Sequence, residues 1–307
     1  MATLFPPPHL FGHGTVIFPE SRVYKVYQSG PEAPDFELAE EAVDIDGTLS
    51  YYTWNEVSRN IADAVDDGLP EGFDYSEWMP DGELASAGRT DPLSPDYPRT
   101  YAGLDQVSAD WPTTTVIAGE TIEVDWLATA PHDPSVWDVW MTTPDWTPDT
   151  ELNWDQMEFL LRPEVTFEDD HYTFDLDIPI DRAGHHVLWV AWQRDDPVGE
   201  VFISASDIWI ENEVFRRGDV DGDSTVSGLV DTIALLAYAF VGGVEPPCLD
   251  AADVDDDGEV TALVDSLALL QWAFASEEAP PEPGPEVCGP DPTDDLIECE
   301  TALADCE

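Results

Sequence analysis

The chain has 307 residues, which is enough for more than one domain, since a domain typically takes about 100–200 residues. Its 67 acidic residues against 10 basic ones give a formal net charge of −57. This charge argues strongly against nucleic acid as a partner, because phosphate binding needs clustered Lys and Arg, and it disfavours anionic membrane surfaces. The acidic residues are spread along the chain, which indicates a solvated surface suited to salty water.

The N-terminal part of the chain carries few strand or helix signals. The first twelve residues lack the basic start and the long apolar segment of an export signal. Residues 30–110 are rich in Pro, Gly and Asp, which predicts a long, loop-dominated insertion with a short helix around Glu56–Val65. The sequence lacks an apolar stretch of about 18 residues, and we therefore predict no membrane span.

Residues 113–212 have the pattern of β-strands. Apolar and acidic residues alternate within 121–127 and again within 171–178, as half-buried strands require. Residues 185–192 and 201–210 are apolar on both faces, which is typical of central strands. Strands without long helical patterns between them predict a mainly β fold, an immunoglobulin- or fibronectin-III-like antiparallel β-sandwich.

After residue 212 the chain repeats one unit at a spacing of 34 residues, so that Asp219 matches Asp253. Each unit begins with acidic residues at loop positions 1, 3 and 5, an alternation with which calcium loops surround their ion. The predicted calcium ligands are Asp219, Asp221, Asp223 and the closing Asp231 in the first loop, and Asp253, Asp255, Asp257 and the closing Asp265 in the second.

A helical rhythm of apolar residues follows each acidic loop. It comprises Ile233, Leu236 and Phe240 in the first unit, and Leu267, Leu270 and Phe274 in the second. Each unit is therefore predicted to be a loop followed by a helix, and two packed units can bury both apolar faces.

All four cysteines lie in the last sixty residues, at positions 248, 288, 299 and 306. None fits a zinc pattern, so they predict disulfides formed in an oxidising compartment, with three pairings open. The tail from residue 277 is rich in Pro and Glu, which predicts an irregular segment held by its cysteines.

Six sequence blocks follow one another between residues 13 and 210. They are HGTVIFPESRVY at 13–24, YYTWNEV at 51–57, PDGELASAGR at 80–89, YAGLDQVSADWP at 101–112, TAPHDPSVWDVWMT at 129–142, and GHHVLWVAWQRDD with EVFISASDIWI at 184–210. In this order they resemble the secreted bacterial lytic polysaccharide monooxygenases of auxiliary-activity family ten, also known as chitin-binding proteins.

The resemblance implies a copper centre. His13, through its ring and its terminal amine, and His132 would hold the metal, and imidazole is a ligand type that suits copper. Phe202 maps beside the metal, while Thr129 and Ala130 map onto positions that shape access to it. Trp192 maps onto a buried aromatic residue near the metal, and Glu56 onto an acid that handles protons or peroxide.

The resemblance also implies an activity, with an external electron donor as a partner. The enzyme would oxidise C1 or C4 of crystalline chitin or cellulose and so break the chain; the choice of carbon and polymer stays open. Tyr51, Tyr52 and Trp54 are the candidates for stacking on sugar rings. The alternative is a non-catalytic polysaccharide-binding protein attached to a calcium-dependent scaffold.

The chain departs from the family pattern in two places. His13 is not the first residue, so residues 1–12, a leader or remnant, are expected to be removed to free the amine. Val26 and Ala85 stand where family members often carry cysteines, which indicates a disulfide replaced as a pair.

The duplicated units resemble dockerin modules, whose two calcium loop–helix units bind cohesin partners. The closing acids fall at loop position 13 and not 12, and Ser224 occupies the sixth position where the second loop has Gly258. A cohesin-like or cell-surface anchoring partner is implied. We therefore expect a monooxygenase domain at 13–212, a small α-helical dockerin-like domain at 213–276 and a tail at 277–307, in a secreted protein.

Overall fold

The computed structural model describes residues 13–61, 69–211, 214–275, 279–291, 293, 297 and 299. The expected leader, residues 1–12, lies outside the described residues. The chain clusters into two compact units. The first, here named the sandwich unit, comprises residues 13–116, 121–177 and 183–210; the second, the C-terminal unit, comprises 117–120, 178–182 and the described residues from 211 onwards. In the part of the chain that the structure describes, no helix combines the length and apolar character that a membrane crossing needs.

The described residues contain ten strands in two antiparallel sheets. The strands are β1 His13–Phe18, β2 Ser58–Asn60, β3 Thr114–Ile117, β4 Thr121–Ala130, β5 Ser135–Thr142, β6 Met157–Leu161, β7 Thr166–Glu168, β8 His171–Asp177, β9 Gly184–Arg194 and β10 Glu200–Glu211. One sheet has the order β1-β4-β8-β7, and the other has the order β2-β10-β9-β5-β6, with β3 paired to β10. The predicted mainly β sandwich is confirmed, including the four strands that the alternating and apolar patterns indicated.

The insertion before β3 contains more helix than its composition predicted. Helix α1, Arg22–Gln28, precedes the insertion, and the insertion itself contains α2 Glu37–Asp46 and α3 Thr48–Tyr52. Leu38, Ala39 and Ala42 lie on one buried face of α2, and this burial stabilises a helix that is otherwise acidic. The helix predicted around Glu56–Val65 is wrong over its described part, where a 3-10 turn at Trp54–Glu56 is followed by β2.

Buried charged groups lie inside the sandwich unit. Two nitrogens of Arg22, Nε and Nη2, donate to the carboxylate of Asp207 at 2.6 and 2.9 Å. His185 Nε2 lies 2.8 Å from the same carboxylate. Burial by itself would raise the pKa of Asp207, but Arg22 and its other partners hold this pKa at about 2. Lys25, 7% exposed, donates to the Asp207 backbone oxygen. The negative charge of the buried Asp207 carboxylate is thus balanced by these partners.

Val26 and Ala85, the two positions without the expected cysteines, are both buried in the main apolar core of the sandwich unit. Apolar side chains occupy both positions, and the replacement of a disulfide as a pair stays a prediction.

The C-terminal unit contains three short helices in its described residues: α4 Val230–Val241, α5 Leu249–Ala252 and α6 Ala262–Ala275. Helices α4 and α6 follow the two acidic loops, as the repeat predicted. Cys248 forms a disulfide with Cys299, and Cys288 is disulfide-bonded as well. The expectation of disulfides is confirmed.

The two helices do not bury the apolar residues that the sequence pattern indicated. Ile233, Phe240, Leu267 and Phe274 are exposed, with Phe240 at 63% and Phe274 at 70%. The buried face instead carries one leucine from each helix, Leu235 and Leu269, together with the closing aspartates of the loops. The helices approach closely near Gly228, where a Cβ atom would lie 2.2 Å from Cβ of Ala273. The prediction was wrong because the closing carboxylates face their own loops. This sets the rotation of each helix about its axis, and the predicted residues therefore face solvent.

Candidate functional site

Two histidines lie at one end of the sandwich unit. His13 is the first residue of β1 and pairs in register with Ala130, the last residue of β4. His132 follows β4 by two residues, and its backbone is fixed by Tyr172: the His132 N–H donates to Tyr172 Oη, which donates to the His132 carbonyl, each at 3.2 Å. Strand pairing therefore carries both imidazoles to the same edge.

Both imidazoles have a lowered pKa, which favours their neutral form. Burial lowers the pKa of His13 and of His132, and the positive charge of Arg194 lowers both further. Nδ1 of His132 is buried and has no hydrogen-bond partner, while Nε2 lies 3.2 Å from Asp196 Oδ2. A neutral imidazole has a free lone pair, so the pair is suited to metal coordination.

Aromatic rings form the floor beneath the histidines. The Phe202 ring lies edge-on to the His13 ring, with 6.0 Å between centroids. Below it, Trp192 contacts Phe202 at 5.3 Å and stacks on Trp137 at 5.4 Å with an interplanar angle of 9°. Phe202 and Trp192 are fully buried and pair across β10 and β9. The predicted neighbours Ala130, Phe202 and Trp192 are thus brought together with His13.

Thr129 and Glu56, from separate segments, are held by polar partners. Asn55 Nδ2 donates to Thr129 Oγ1 at 2.6 Å. The Glu56 carboxylate pairs with the Arg99 guanidinium, and the charge of Arg99 is among those that lower the pKa of His13. Glu56 therefore lies within electrostatic reach of the site, but its predicted role as an acid stays a prediction.

The structure adds residues that the sequence patterns did not single out. Arg194 is buried and pairs with Asp196 and Glu200, and Glu200 also accepts a hydrogen bond from Ser58 Oγ at 2.9 Å. Burial raises the pKa of Glu200. Since residues two apart share a strand face, Glu200 lies on the same face of β10 as Phe202, and this spacing was a signal available in the sequence.

The three aromatic residues predicted to stack on sugar rings behave differently. Tyr51 is 0% exposed and donates from Oη to Asp46 at 2.7 Å, and Trp54 is 9% exposed and packs on Tyr24. For these two the prediction is wrong, because α3 directs Tyr51 and the following 3-10 turn directs Trp54 into the core. Tyr52 is 47% exposed and remains a candidate.

The first acidic loop brings together carboxylate oxygens of Asp219, Asp221 and Asp223, all within 4.8 Å of one another. Asp231 is not part of this group. Its Oδ1 instead accepts backbone N–H bonds from Val220 and Asp221, at 2.9 and 3.3 Å, and so closes the loop.

The second acidic loop brings together Asp253, Asp255 and Asp265 within the same distance, without Asp257. Oδ1 of Asp265 accepts the Val254 N–H at 2.8 Å. Its other oxygen, Oδ2, is buried without a hydrogen-bond partner, and burial raises the pKa of this carboxyl to about 7. An unpartnered buried oxygen beside two carboxylates is the arrangement that a hard cation would satisfy.

These observations define a β-sandwich protein with a candidate two-histidine metal centre, joined to a unit with two acidic loops. A family profile described as lytic polysaccharide mono-oxygenase, cellulose-degrading, matches residues 13–208. The chain belongs to this family of lytic polysaccharide monooxygenases.

Named relatives agree with this assignment. The chitin-binding protein CbpD of Pseudomonas aeruginosa is 29% identical over 210 residues, which cover 67% of this chain and 49% of the relative. A lytic cellulose monooxygenase of Streptomyces ambofaciens is 30% identical, over 68% of this chain and 56% of the relative. The chain thus matches about half the length of these curated relatives.

Among solved structures, the cellulose-active enzyme CelS2 in complex with copper is 30% identical, with a TM-score of 0.53. The similarity covers 65% of this chain and 100% of that one.

Proposed function

We propose that the sandwich unit is a copper-dependent monooxygenase that cleaves glycosidic bonds of crystalline chitin or cellulose oxidatively. The observation that carries the proposal is the pair of imidazoles with lowered pKa values, His13 and His132, with the Phe202 ring beside His13. The relatives support it, since one is named a lytic cellulose monooxygenase and another a chitin-binding protein.

The residues at the edge fit copper. Imidazole nitrogen is a preferred ligand type for this metal, and the buried Nδ1 of His132 has no other partner. His13 would contribute a second imidazole. When bound, copper would supply one-electron chemistry with an external electron donor and with oxygen or peroxide.

The surrounding side chains would orient and shield this centre. Tyr172 fixes the backbone of His132, and Phe202 excludes water from the space beside His13. Glu200 pairs with the buried Arg194, whose charge lowers the pKa of both histidines, so this pair sets the electrostatic potential beside the metal. Tyr52 would rest against the polysaccharide surface.

Copper titration of the processed protein tests the centre. We expect His132→Ala to lose most of the affinity, and His171→Ala, a histidine paired with Asp125 outside the site, to retain it. Equal affinity of wild type and His132→Ala would exclude this centre.

Product analysis tests the activity. The processed protein, loaded with copper, would be incubated with a reductant and with chitin or cellulose. Oxidised oligosaccharides are expected from at least one polymer, and their chemistry identifies the carbon attacked. Binding to both polymers without oxidised products would favour the non-catalytic alternative.

We further propose that residues 1–12 are removed, since the amine of His13 can serve as a ligand only when it is free. Mass spectrometry of the secreted protein would determine its first residue. A mature protein that starts at any residue other than His13 would contradict the copper proposal.

For the C-terminal unit we propose a dockerin-like module that binds calcium at both acidic loops. The unpartnered, buried Oδ2 of Asp265 supports the second site, and the grouped carboxylates of Asp219, Asp221 and Asp223 support the first. Calorimetric titration with calcium should give two binding events. Asp265→Asn should remove one of them, and the absence of any binding would contradict the proposal.

The exposed apolar face of the two helices supports an anchoring role. Ile233 and Phe240 on α4 match Leu267 and Phe274 on α6. Two copies of a chain with a net charge of −57 repel one another, so we propose a different protein as occupant, a cohesin-like domain with an apolar surface. The double variant Ile233→Ser, Leu267→Ser should no longer be captured by purified cohesin domains. If the double variant binds cell walls as well as the wild type does, a component of the cell surface would be favoured as the partner.

A further inference from the structure

The guanidinium of Arg217 lies at the centre of the C-terminal unit. Arg217 precedes the first acidic loop by two residues, yet its contacts are to the second loop. Its Nη1 donates to the backbone oxygens of Asp253, at 2.8 Å, and of Asp250, at 3.2 Å. Its side chain is fully buried. Arg217 therefore fixes the backbone of the first carboxylate of the second loop.

The same guanidinium connects the second loop to the C-terminal tail. Nη2 donates to Asp291 Oδ1 at 2.9 Å and to the Glu282 carbonyl at 3.1 Å, and it lies 3.0 Å from Asp256 Oδ1. The other oxygen of Asp256 accepts from Thr293 Oγ1 at 2.9 Å. The loop and the tail thus share one buried cation.

A covalent link reinforces this connection. Cys248, bonded to Cys299 in the tail, directly precedes α5, and α5 leads into Asp253. The tail also pairs with the strand-like segment before Arg217, through the backbone bridge between Phe215 and Gly289. The tail is therefore attached both to the segment that leads into the second loop and to the segment that precedes Arg217.

The first loop is held by local interactions. Arg216 Nη1 donates to the Ser224 carbonyl at 2.9 Å, and the Asp219 carboxylate accepts from the backbone of Asp223 and Ser224. The two loops have related sequences, and the described contacts of the second loop include, through Arg217, a segment far along the chain.

We infer that Arg217 is a positioning residue for cation binding at the second acidic loop, acting together with the tail that contains Asp291 and Thr293. The inference rests on the proposed calcium function. A loop whose backbone is already fixed loses less conformational freedom when it binds an ion, so the second loop binds calcium more tightly than the first.

The charge of Arg217 acts in the opposite direction, because a cation repels a nearby calcium ion. Two carboxylates, those of Asp256 and Asp291, contact this guanidinium and leave the local group with a net negative charge. The repulsion between Arg217 and calcium is therefore offset. The net effect of Arg217 is to strengthen calcium binding, because it positions the loop.

Calcium titration of the 15N-labelled full chain can separate the two loops by NMR. The first loop contains Gly222 and the second contains Gly258, so their amide signals report the two sites in one sample. The variants are Arg217→Lys, which keeps the charge but loses the forked geometry, and Asp291→Asn, which weakens the attachment of the tail. Arg216→Gln is the matched control for the first loop.

In wild type we expect the Gly258 signal to shift at lower calcium than the Gly222 signal. Arg217→Lys and Asp291→Asn should raise the Gly258 midpoint by about 10- to 100-fold, the usual effect of losing a residue that orients metal ligands, and leave Gly222 unchanged. Arg216→Gln should leave the Gly258 midpoint unchanged.

An unchanged Gly258 midpoint in both variants would overturn the inference. A shift of this midpoint to lower calcium would also overturn it, because it would show that Arg217 acts only as a nearby charge. If Arg217→Lys disturbs folding, so that Gly222 also stops responding, the outcome for Asp291→Asn decides. If neither amide of the wild type responds to calcium, the calcium proposal itself fails, and the inference with it.

Discussion

The sandwich unit and the C-terminal unit are stabilised by different means. The sandwich unit has a large apolar core rich in aromatic rings, and its buried charges are paired inside it. The C-terminal unit has two small buried clusters, one of which consists of Phe215, Ala251 and the disulfide between Cys248 and Cys299. Small cores need cross-links or bound ions, because they bury too little surface to offset the entropy of folding.

This difference indicates which kind of functional site each unit can support. A unit with a rigid core can hold two imidazoles at a fixed separation without a metal. A unit with a small core can couple its folding to an ion, and its binding surface then depends on that ion.

Removal of calcium should have the largest effect, confined to the C-terminal unit. At a calcium concentration of about 1,000 times Kd, each site contributes about 4 kcal/mol to the free energy of unfolding. Differential scanning calorimetry should show two transitions, of which a chelator lowers only one. An equal decrease in the temperature of both transitions would contradict the proposed difference between the units. As a control, excess calcium should restore the lowered transition.

Loss of a buried partner should act on the sandwich unit alone. Arg22→Met leaves the Asp207 carboxylate buried beside His185 without its main cation, and removing one partner of a buried ion pair costs about 3–5 kcal/mol. The sandwich transition should fall by several degrees. Arg99→Met, at the partly exposed pair with Glu56, should cost less, and an equal loss would argue against burial as the cause.

A smaller effect is expected at the histidines. Glu200→Gln removes a negative charge from Arg194, so the positive potential at His13 and His132 increases and the pKa of each imidazole falls further. NMR titration of the metal-free protein measures it, and an increase in either pKa would contradict the proposed coupling through Arg194.

The smallest effect concerns surface charge. Glu123 on β4 lies directly opposite Asp175 on β8, both exposed, and like charges at such positions destabilise a sheet. Glu123→Lys should raise the free energy of unfolding by about 0.5 kcal/mol at low ionic strength. The gain should vanish in concentrated salt, where screening removes the repulsion. A gain that is independent of salt would argue against an adaptation of this surface to salty water.

The sheet core could be predicted from the sequence, since period-two alternation is a local signal. The strands β4, β8, β9 and β10 follow directly from it. Helix α2 could not be predicted, because its acidic residues hide a short buried face formed by Leu38, Ala39 and Ala42. Its stability depends on packing partners distant in sequence.

The site was predictable where it coincided with sequence blocks, and less so elsewhere. His13 and His132 were found because each lies in a recognisable block. The role of Arg194 depends on its effect on His13 and His132, which lie far from it in sequence, and no local pattern encodes this. Tyr51 was misplaced because an aromatic residue on a short helix has the same sequence signal whether it faces solvent or core.

One further consequence concerns amine chemistry. The sequence contains a single lysine, Lys25, and its side chain is buried against the Asp207 backbone. In the folded protein an amine-reactive label should therefore attach to the α-amine alone. Since that amine would belong to His13 after processing, one labelling reaction could immobilise the protein at a single point and, by blocking copper, report whether maturation has occurred.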